Sequence, residues 1–99
     1  MNMSELRAKY PNPVASSFGG GYCVGGALCQ GVYAEHTMRY RFPTFRFLLA
    51  TIHRVWPRIS PLDARAAATA VISENGDMRF NAAWRVLEDL EYGEGHHAV

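Results

Sequence analysis

Apolar residues recur at helical spacing in the second half of the chain. The clearest stripe falls at i, i+3, i+4, i+7, i+10 and i+11 and consists of Phe45, Leu48, Leu49, Ile52, Val55 and Trp56. This spacing puts the whole stripe on one face of an α-helix. Pro43 suits a first helical turn and Pro57 stops a helix, so we predict a helix over 43–56.

A second helix begins after the first. Ser60, Pro61 and Asp63 form a helix start, with a capping hydroxyl, a proline at the first helical position and an acid three residues after the cap. The alanine-rich run that follows predicts a helix over 61–74. The Asn-Gly pair at 75–76 is typical of a left-handed helix exit.

The last apolar stripe predicts a helix over 80–91, formed around Phe80, Ala83, Trp84, Leu87 and Leu90. We expect the tail 93–99, GEGHHAV, to be frayed. Near the other terminus, residues 4–9 are compatible with one short helical turn.

The stretch 18–29, FGGGYCVGGALC, is rich in glycine. Val24, Leu28 and Val32 recur at four-residue steps and predict a helix over 22–35. Each glycine inside it costs about 1 kcal/mol relative to alanine, so close packing must offset the loss. Small residues four apart, Gly21 with Gly25 and Ala27 with Gly31, would let a neighbouring helix approach closely.

These patterns predict an all-α fold, a compact single domain over 1–99 with about four helices: 22–35, 43–56, 61–74 and 80–91. Residues 10–21 hold prolines and glycines and are predicted as loop, and the alternating residues 37–42 allow one short strand. The content of hydrophobic residues, 48%, supports one core. The chain has neither a membrane-spanning run nor a secretory leader pattern, so we expect a cytoplasmic protein that does not enter a membrane.

Cys23 has two interpretations. It sits where a glycine-rich loop enters a helix, and a helix N-terminus lowers a thiol pKa, so it is a candidate nucleophile with His36 or His53 as base. Alternatively it is a small buried residue, as unpaired cysteine usually is. We favour the second. Cys29 lies about 9 Å further along the predicted helix, which is too far for a disulfide.

Metal and cofactor sites have little support in the sequence. The glycine-rich stretch lacks the Lys-Ser/Thr pair of a phosphate-binding loop. The cysteines and histidines do not follow a zinc-site spacing. We therefore expect no metal and no cofactor.

Charge is unevenly distributed along the chain. Residues 36–62 carry five arginines and no acid, whereas residues 63–99 carry three arginines and seven acids. The basic stretch is interleaved with aromatic residues, and its candidate partner-binding residues are Arg39, Tyr40, Arg41, Arg46, Arg54 and Arg58. Three interpretations stay open: an internal contact with the acidic last helix, an acidic protein partner, or a nucleic acid.

Two segments, YCVGGALCQ and FNAAWRVLEDLEYG, resemble a group of small bacterial and phage proteins of uncharacterised activity. The matching positions are Cys23, Gly26, Ala27 and Leu28, followed by Asn81 and the stripe from Trp84 to Leu90. The resemblance covers about a quarter of the chain. It implies a compact helical fold and a phage or mobile-element origin.

From these observations we expect a small non-enzymatic protein-interaction module, an accessory or anti-defence inhibitor protein that binds a larger host protein through the basic, aromatic middle. A cysteine-dependent enzyme using Cys23 with His36 or His53 is the first alternative. A nucleic-acid-binding module is the second. A homodimer is compatible with each.

Overall fold

A computed structural model of the protein describes residues 2–16, 20–33 and 40–97, with side chains through residue 93. In this part of the chain there are five α-helices and no strand: α1 (Met3–Lys9), α2 (Val24–Tyr33), α3 (Phe45–Val55), α4 (Pro61–Gly76) and α5 (Phe80–His97). The all-helical class is confirmed. The count of about four helices is close, because the turn expected at 4–9 is a complete helix. Of the strand expected at 37–42, residues 40–42 are not in a strand, and residues 37–39 lie outside the described ranges.

Side-chain caps fix where three of the helices begin. The Ser60 hydroxyl accepts a hydrogen bond from the N–H of Asp63 at 3.1 Å, as the sequence predicts. The Thr44 hydroxyl accepts from the N–H of Phe47 at 3.1 Å, so α3 begins two residues later than expected and Pro43 precedes its cap. Asn2 caps α1 in the same way.

The turn between α4 and α5 differs from the prediction. Gly76 stays in the helix, and the left-handed residue is Met78, with φ of 62°. The turn is closed by backbone hydrogen bonds from Asp77 N to Ser73 O at 3.1 Å and from Arg79 N to Glu74 O at 2.8 Å.

Helix α5 is longer than predicted, because it continues through 93–97 to His97. Helix α1 packs against α5. The N–H of Met3 donates to Glu91 Oε2 at 2.8 Å, and Arg7 forms an ion pair with Glu88 at 3.2 Å. Arg7 also donates to Asn81. That the tail 93–99 is frayed stays a prediction, and residues 98–99 lie outside the described ranges.

Helix α2 is the centre of the fold, since all seven residues from Val24 to Gln30 are buried. It begins at Val24 because the side chain of Asn75, at the end of α4, accepts the Val24 N–H at 2.9 Å. The same amide donates to Val14 O at 3.1 Å, so Asn75 ties α2, α4 and the 10–16 loop together.

The remaining helices are arranged around α2. α4 and α5 form an antiparallel pair, α3 packs on α2 and α4, and α1 packs on α5 and α2. The side chains most completely buried include Trp84, Met3, Leu28, Leu48, Ile52 and Leu87. Helices α3 and α5 do not touch within the described residues, because α4 and α2 separate them.

Candidate interaction surface

The solvent side of α3 is a regular basic surface. Residues 46, 50 and 54 are exposed at four-residue spacing, and residues 57 and 58 continue the exposed side beyond the helix. Three of these positions are arginines: Arg46, Arg54 and Arg58. We call this set, with Arg41, the basic surface.

Arg54 is stacked on an aromatic platform. Its guanidinium lies 5.0 Å from the ring centre of Tyr33. Tyr33, Tyr40 and Phe47 pack on one another with all three centroid distances at 5.3 Å. The Thr51 hydroxyl donates to Phe47 O at 2.8 Å and lies 3.4 Å from the Tyr33 hydroxyl. This packing restricts the platform that positions Arg54.

Tyr40 belongs to the platform and not to the surface. It is only 6% exposed, so its ring supports Tyr33 and Phe47 from inside. Tyr40 is the one aromatic residue in the predicted partner-binding set. Its ring instead turns inward, because the chain reaches α3 by crossing directly over α2.

Arg41 lies at the edge of the basic surface and is half-buried. Its guanidinium is 5.3 Å from the ring centre of Tyr22, and its Nε is buried without a hydrogen-bond partner in the described part of the protein. Its carbonyl oxygen accepts from the N–H of Cys23 at 3.2 Å and from the Cys23 thiol at 3.0 Å. The backbone of Arg41 is therefore fixed on the start of α2.

The other arginines of the chain differ in their partners. Arg65 of α4 lies 5.9 Å from the ring centre of Phe45, at the start of α3. Arg58 also interacts with another group of the protein. Arg7 and Arg79 pair with acids of the α4–α5 half, namely Glu88, Glu74 and Asp77. Arg46 and Arg54 form no ion pair among the described residues. One interpretation of the sequence was an internal contact between the basic middle of the chain and the acidic last helix. The arginines of α3 do not form this contact with the described residues of α5.

Among the described side chains, Cys23 has no imidazole among its hydrogen-bond partners, which the enzyme alternative would require. Its thiol donates to Arg41 O and accepts from the N–H of Gly26 at 3.2 Å, and burial raises its pKa in spite of backbone hydrogen bonds that act the other way. His53, the only histidine whose side chain is described, is half-buried on α3 and forms no hydrogen bond with Cys23. His36 lies outside these ranges, as does Arg39.

The glycine-rich helix is closely packed, as the sequence predicts, although the neighbours differ from those expected. A side chain at Gly25 would meet Leu48 of α3 at 3.2 Å. A side chain at Gly26 would lie 2.6 Å from the carbonyl carbon of Arg41, so the closest neighbour is the bent segment that leads into α3 and not an α-helix. A side chain at Gly21 would meet Val14 at 2.9 Å.

Tyr22 and Tyr33 contact arginines of the candidate surface, and the sequence does not reveal these contacts. Each holds an arginine that lies far along the chain, so no local spacing connects the pairs. The sequence indicates only that both residues are aromatic and that the chain has five arginines in one stretch, with which aromatic rings can stack.

The described residues give no support to a metal site or to a membrane-spanning helix. The described residues contain no group of three or more His, Cys, Asp or Glu side chains that could hold a metal ion. Among the helices in the described part of the chain, none has the length and apolar character needed to cross a membrane.

Comparison with protein-family models, with curated proteins and with solved structures finds no match to this chain. The likeness to small bacterial and phage proteins accordingly stays a prediction that depends on the residues from Cys23 to Leu28 and from Asn81 to Leu90.

Proposed function

We propose that this protein is a small non-enzymatic interaction module that binds an acidic surface of a partner protein through the basic surface of α3. The observation that carries the proposal is the exposure of Arg46 and Arg54 on a face with no acidic residue between 40 and 62. Neither guanidinium has an ion-pair partner among the described residues. An arginine in this situation can form bidentate contacts with a carboxylate of another molecule.

Preorganisation supports the same function. Arg54 is held over Tyr33, and Tyr33 is held by Tyr40, Phe47 and Thr51. A side chain that is already restricted loses less conformational entropy when a partner binds. Arg54 is therefore the residue in this surface for which we expect the largest loss of affinity on substitution.

A protein partner fits the surface better than a nucleic acid does. The net charge of the chain is only +1, and the exposed side of α3 offers Arg46 and Arg54 with Arg58 beyond its end. Nucleic-acid binding depends on neutralising many phosphates, and its affinity falls steeply with salt. The carboxylates of α4 and α5 would oppose a polyanion long enough to extend over these helices.

The test is capture of a partner by the tagged protein from nuclease-treated host lysate, with identification by mass spectrometry and measurement of affinity with the purified partner. We expect Arg46→Glu with Arg54→Glu to weaken binding by about a hundredfold, since loss of a charge contact with reversal costs about 1.4 kcal/mol or more per site. Arg85→Glu, an exposed arginine on α5, is the matched control and should leave affinity nearly unchanged.

Equal capture by the doubly reversed variant, with unchanged far-ultraviolet circular dichroism, would contradict the proposal. Binding to DNA or RNA with a steep salt dependence would instead favour the nucleic-acid alternative. The identity of the captured protein also tests the accessory or inhibitor role in a phage or mobile element, which we keep as part of the proposal.

A further inference from the structure

Helices α4 and α5 leave a groove between their solvent-facing sides, with a volume of about 530 Å³. Helix α4 lines it from Asp63 to Ala70, and α5 lines it from Val86 to Gly93. At about 1.5 Å of rise per residue, each wall is roughly 10 Å long, which is two helical turns. Residues 58–60 close one end of the groove.

The floor of this groove is apolar and shallow. Ala66, Ala67 and Ala70 come from α4, and Val86 and Leu90 come from α5. Val86 and Leu90 pack against the core and are half-buried, so part of their apolar surface still faces the groove. Alanines on one wall give a third helix room to lie close to both α4 and α5, as helices do in a bundle.

Each wall of the groove carries one carboxylate, and Arg58 lies at the end that residues 58–60 close. Asp63 on α4 and Asp89 on α5 are both exposed and line the groove, one on each wall. Neither carboxylate forms an ion pair with any described residue. An apolar floor between two such carboxylates is complementary to a molecule with an apolar stripe flanked by positive charges.

We propose that the α4–α5 groove binds an amphipathic, basic helix of a partner protein, in the helix-in-groove mode. The occupant presents apolar side chains at i, i+4 and i+7, which span the length of the floor, and lysine or arginine beside them faces Asp63 and Asp89. This site shares Arg58 with the basic surface, because Arg58 lies at the end of the groove. Arg46 and Arg54 are separate from the groove, since they lie on α3, and α3 does not touch α5 in the described structure. It stands or falls independently of the function proposed for α3.

The probe is a synthetic peptide of about 16 residues, long enough to form helix on binding, with leucines at i, i+4 and i+7 and lysines beside them. A matched peptide carries glutamates in place of the lysines. We titrate both into isotope-labelled protein and follow amide chemical shifts. The lysine peptide should shift the amides of Ala66, Ala70, Val86 and Leu90, and the glutamate peptide should bind at least about tenfold more weakly.

Variants locate the site. Ala70→Trp fills the groove and should abolish binding, whereas Thr69→Trp, at the exposed neighbouring position outside the lining, should leave it intact. Asp89→Lys should weaken binding about tenfold, and Glu5→Lys on α1, an equal change of charge, should not. Circular dichroism establishes that each variant is folded.

Three results would overturn the proposal: equal affinity for the two peptides, shifts confined to other surfaces, or normal binding by Ala70→Trp. A fourth is self-association. If the protein alone is a dimer by light scattering, and the groove amides shift as it is diluted, the groove belongs to a second copy and not to a partner helix.

Discussion

The carbonyl group of Arg41 lies directly over Gly26 of α2. A Cβ atom at Gly26 would stand 2.6 Å from the Arg41 carbonyl carbon and 2.7 Å from Tyr40 O, and closer still to Arg41 O. The same oxygen accepts from the N–H and from the thiol of Cys23. Since Arg41 begins the segment that leads into α3, the absence of a side chain at Gly26 determines where the basic surface sits.

Gly26→Ala should destabilise the fold by about 2–3 kcal/mol, because the obstructing atoms are backbone and cannot rotate away. Gly25→Ala is the matched control in the same helix. There the new methyl group meets only the ends of the Leu48 side chain at 3.2 and 3.4 Å, and helix propensity offsets up to about 1 kcal/mol. Urea unfolding followed by circular dichroism measures both. Equal losses for the two variants would refute the crossing at Gly26.

Asn75 provides a second test of how α2 is held. Its side chain accepts from Val24 N at 2.9 Å and donates to Val14 O at 3.1 Å while being 5% exposed. Asn75→Ala leaves the N–H of Val24 and the carbonyl oxygen of Val14 without these hydrogen-bond partners. We expect it to lower the free energy of unfolding by about 2–3 kcal/mol. Ser73→Ala, exposed on the same helix, should change stability by less than about 0.5 kcal/mol. A small effect of Asn75→Ala would show that water or another group replaces the amide.

The positions that sequence predicts well are those governed by neighbours in the chain. Ser60 caps α4 as expected, because the cap and the residue it binds are three apart. Asn75 was predicted as a turn residue because its tertiary partners lie 51 and 61 residues away and leave no local pattern. The burial of Tyr40 was missed for the same reason: alternation with arginine suggests a surface, and only the crossing over α2 turns the ring inward.

The candidate site likewise has features that follow from local sequence and features that depend on tertiary packing. The excess of arginine in the middle of the chain and the exposure of Arg46 and Arg54 follow from composition and helical spacing. The stacking of Arg54 on Tyr33 does not, since it needs α2 and α3 to be packed side by side. The α4–α5 groove was also missed, because a groove is a property of two helices together and the alanines of α4 suit either a core or a surface.

Met78 adopts a left-handed conformation that glycine adopts without strain. Its φ is 62° and its side chain is 69% exposed, so it contributes little packing. Met78→Gly should stabilise the protein by about 1 kcal/mol, because a left-handed L-residue costs roughly 1–2 kcal/mol and the greater freedom of glycine in the unfolded chain offsets part of the gain. Met78→Ala keeps the strain and should be close to neutral. A loss of stability in Met78→Gly would indicate that the methionine side chain has a packing role.

The ion pair next to this turn makes stability depend on pH. Arg79 donates to both carboxylate oxygens of Glu74, at 2.8 and 2.9 Å, and holds the pKa of Glu74 below its ordinary value of 4.5. A lowered pKa means that the carboxylate stabilises the fold above the unfolded pKa and that this contribution is lost as the pH falls through the folded pKa. The melting temperature of Glu74→Gln should thus lie below that of the natural protein at pH 7 and approach it near pH 3. A difference that does not change with pH would exclude the ion pair as its cause.

We expect both thiols to react slowly with alkylating reagents, and Cys29 more slowly than Cys23. Burial raises the pKa of Cys29 from 9.0 to about 11, which reduces the fraction present as thiolate at neutral pH about a hundredfold. Cys23 is partly exposed, and its pKa is also raised, chiefly by burial. In single-cysteine variants, iodoacetamide at neutral pH should modify Cys23 slowly and Cys29 only on unfolding, and both rates should rise with pH. Modification of Cys23 faster than that of free cysteine would contradict the raised pKa and restore the cysteine-enzyme alternative.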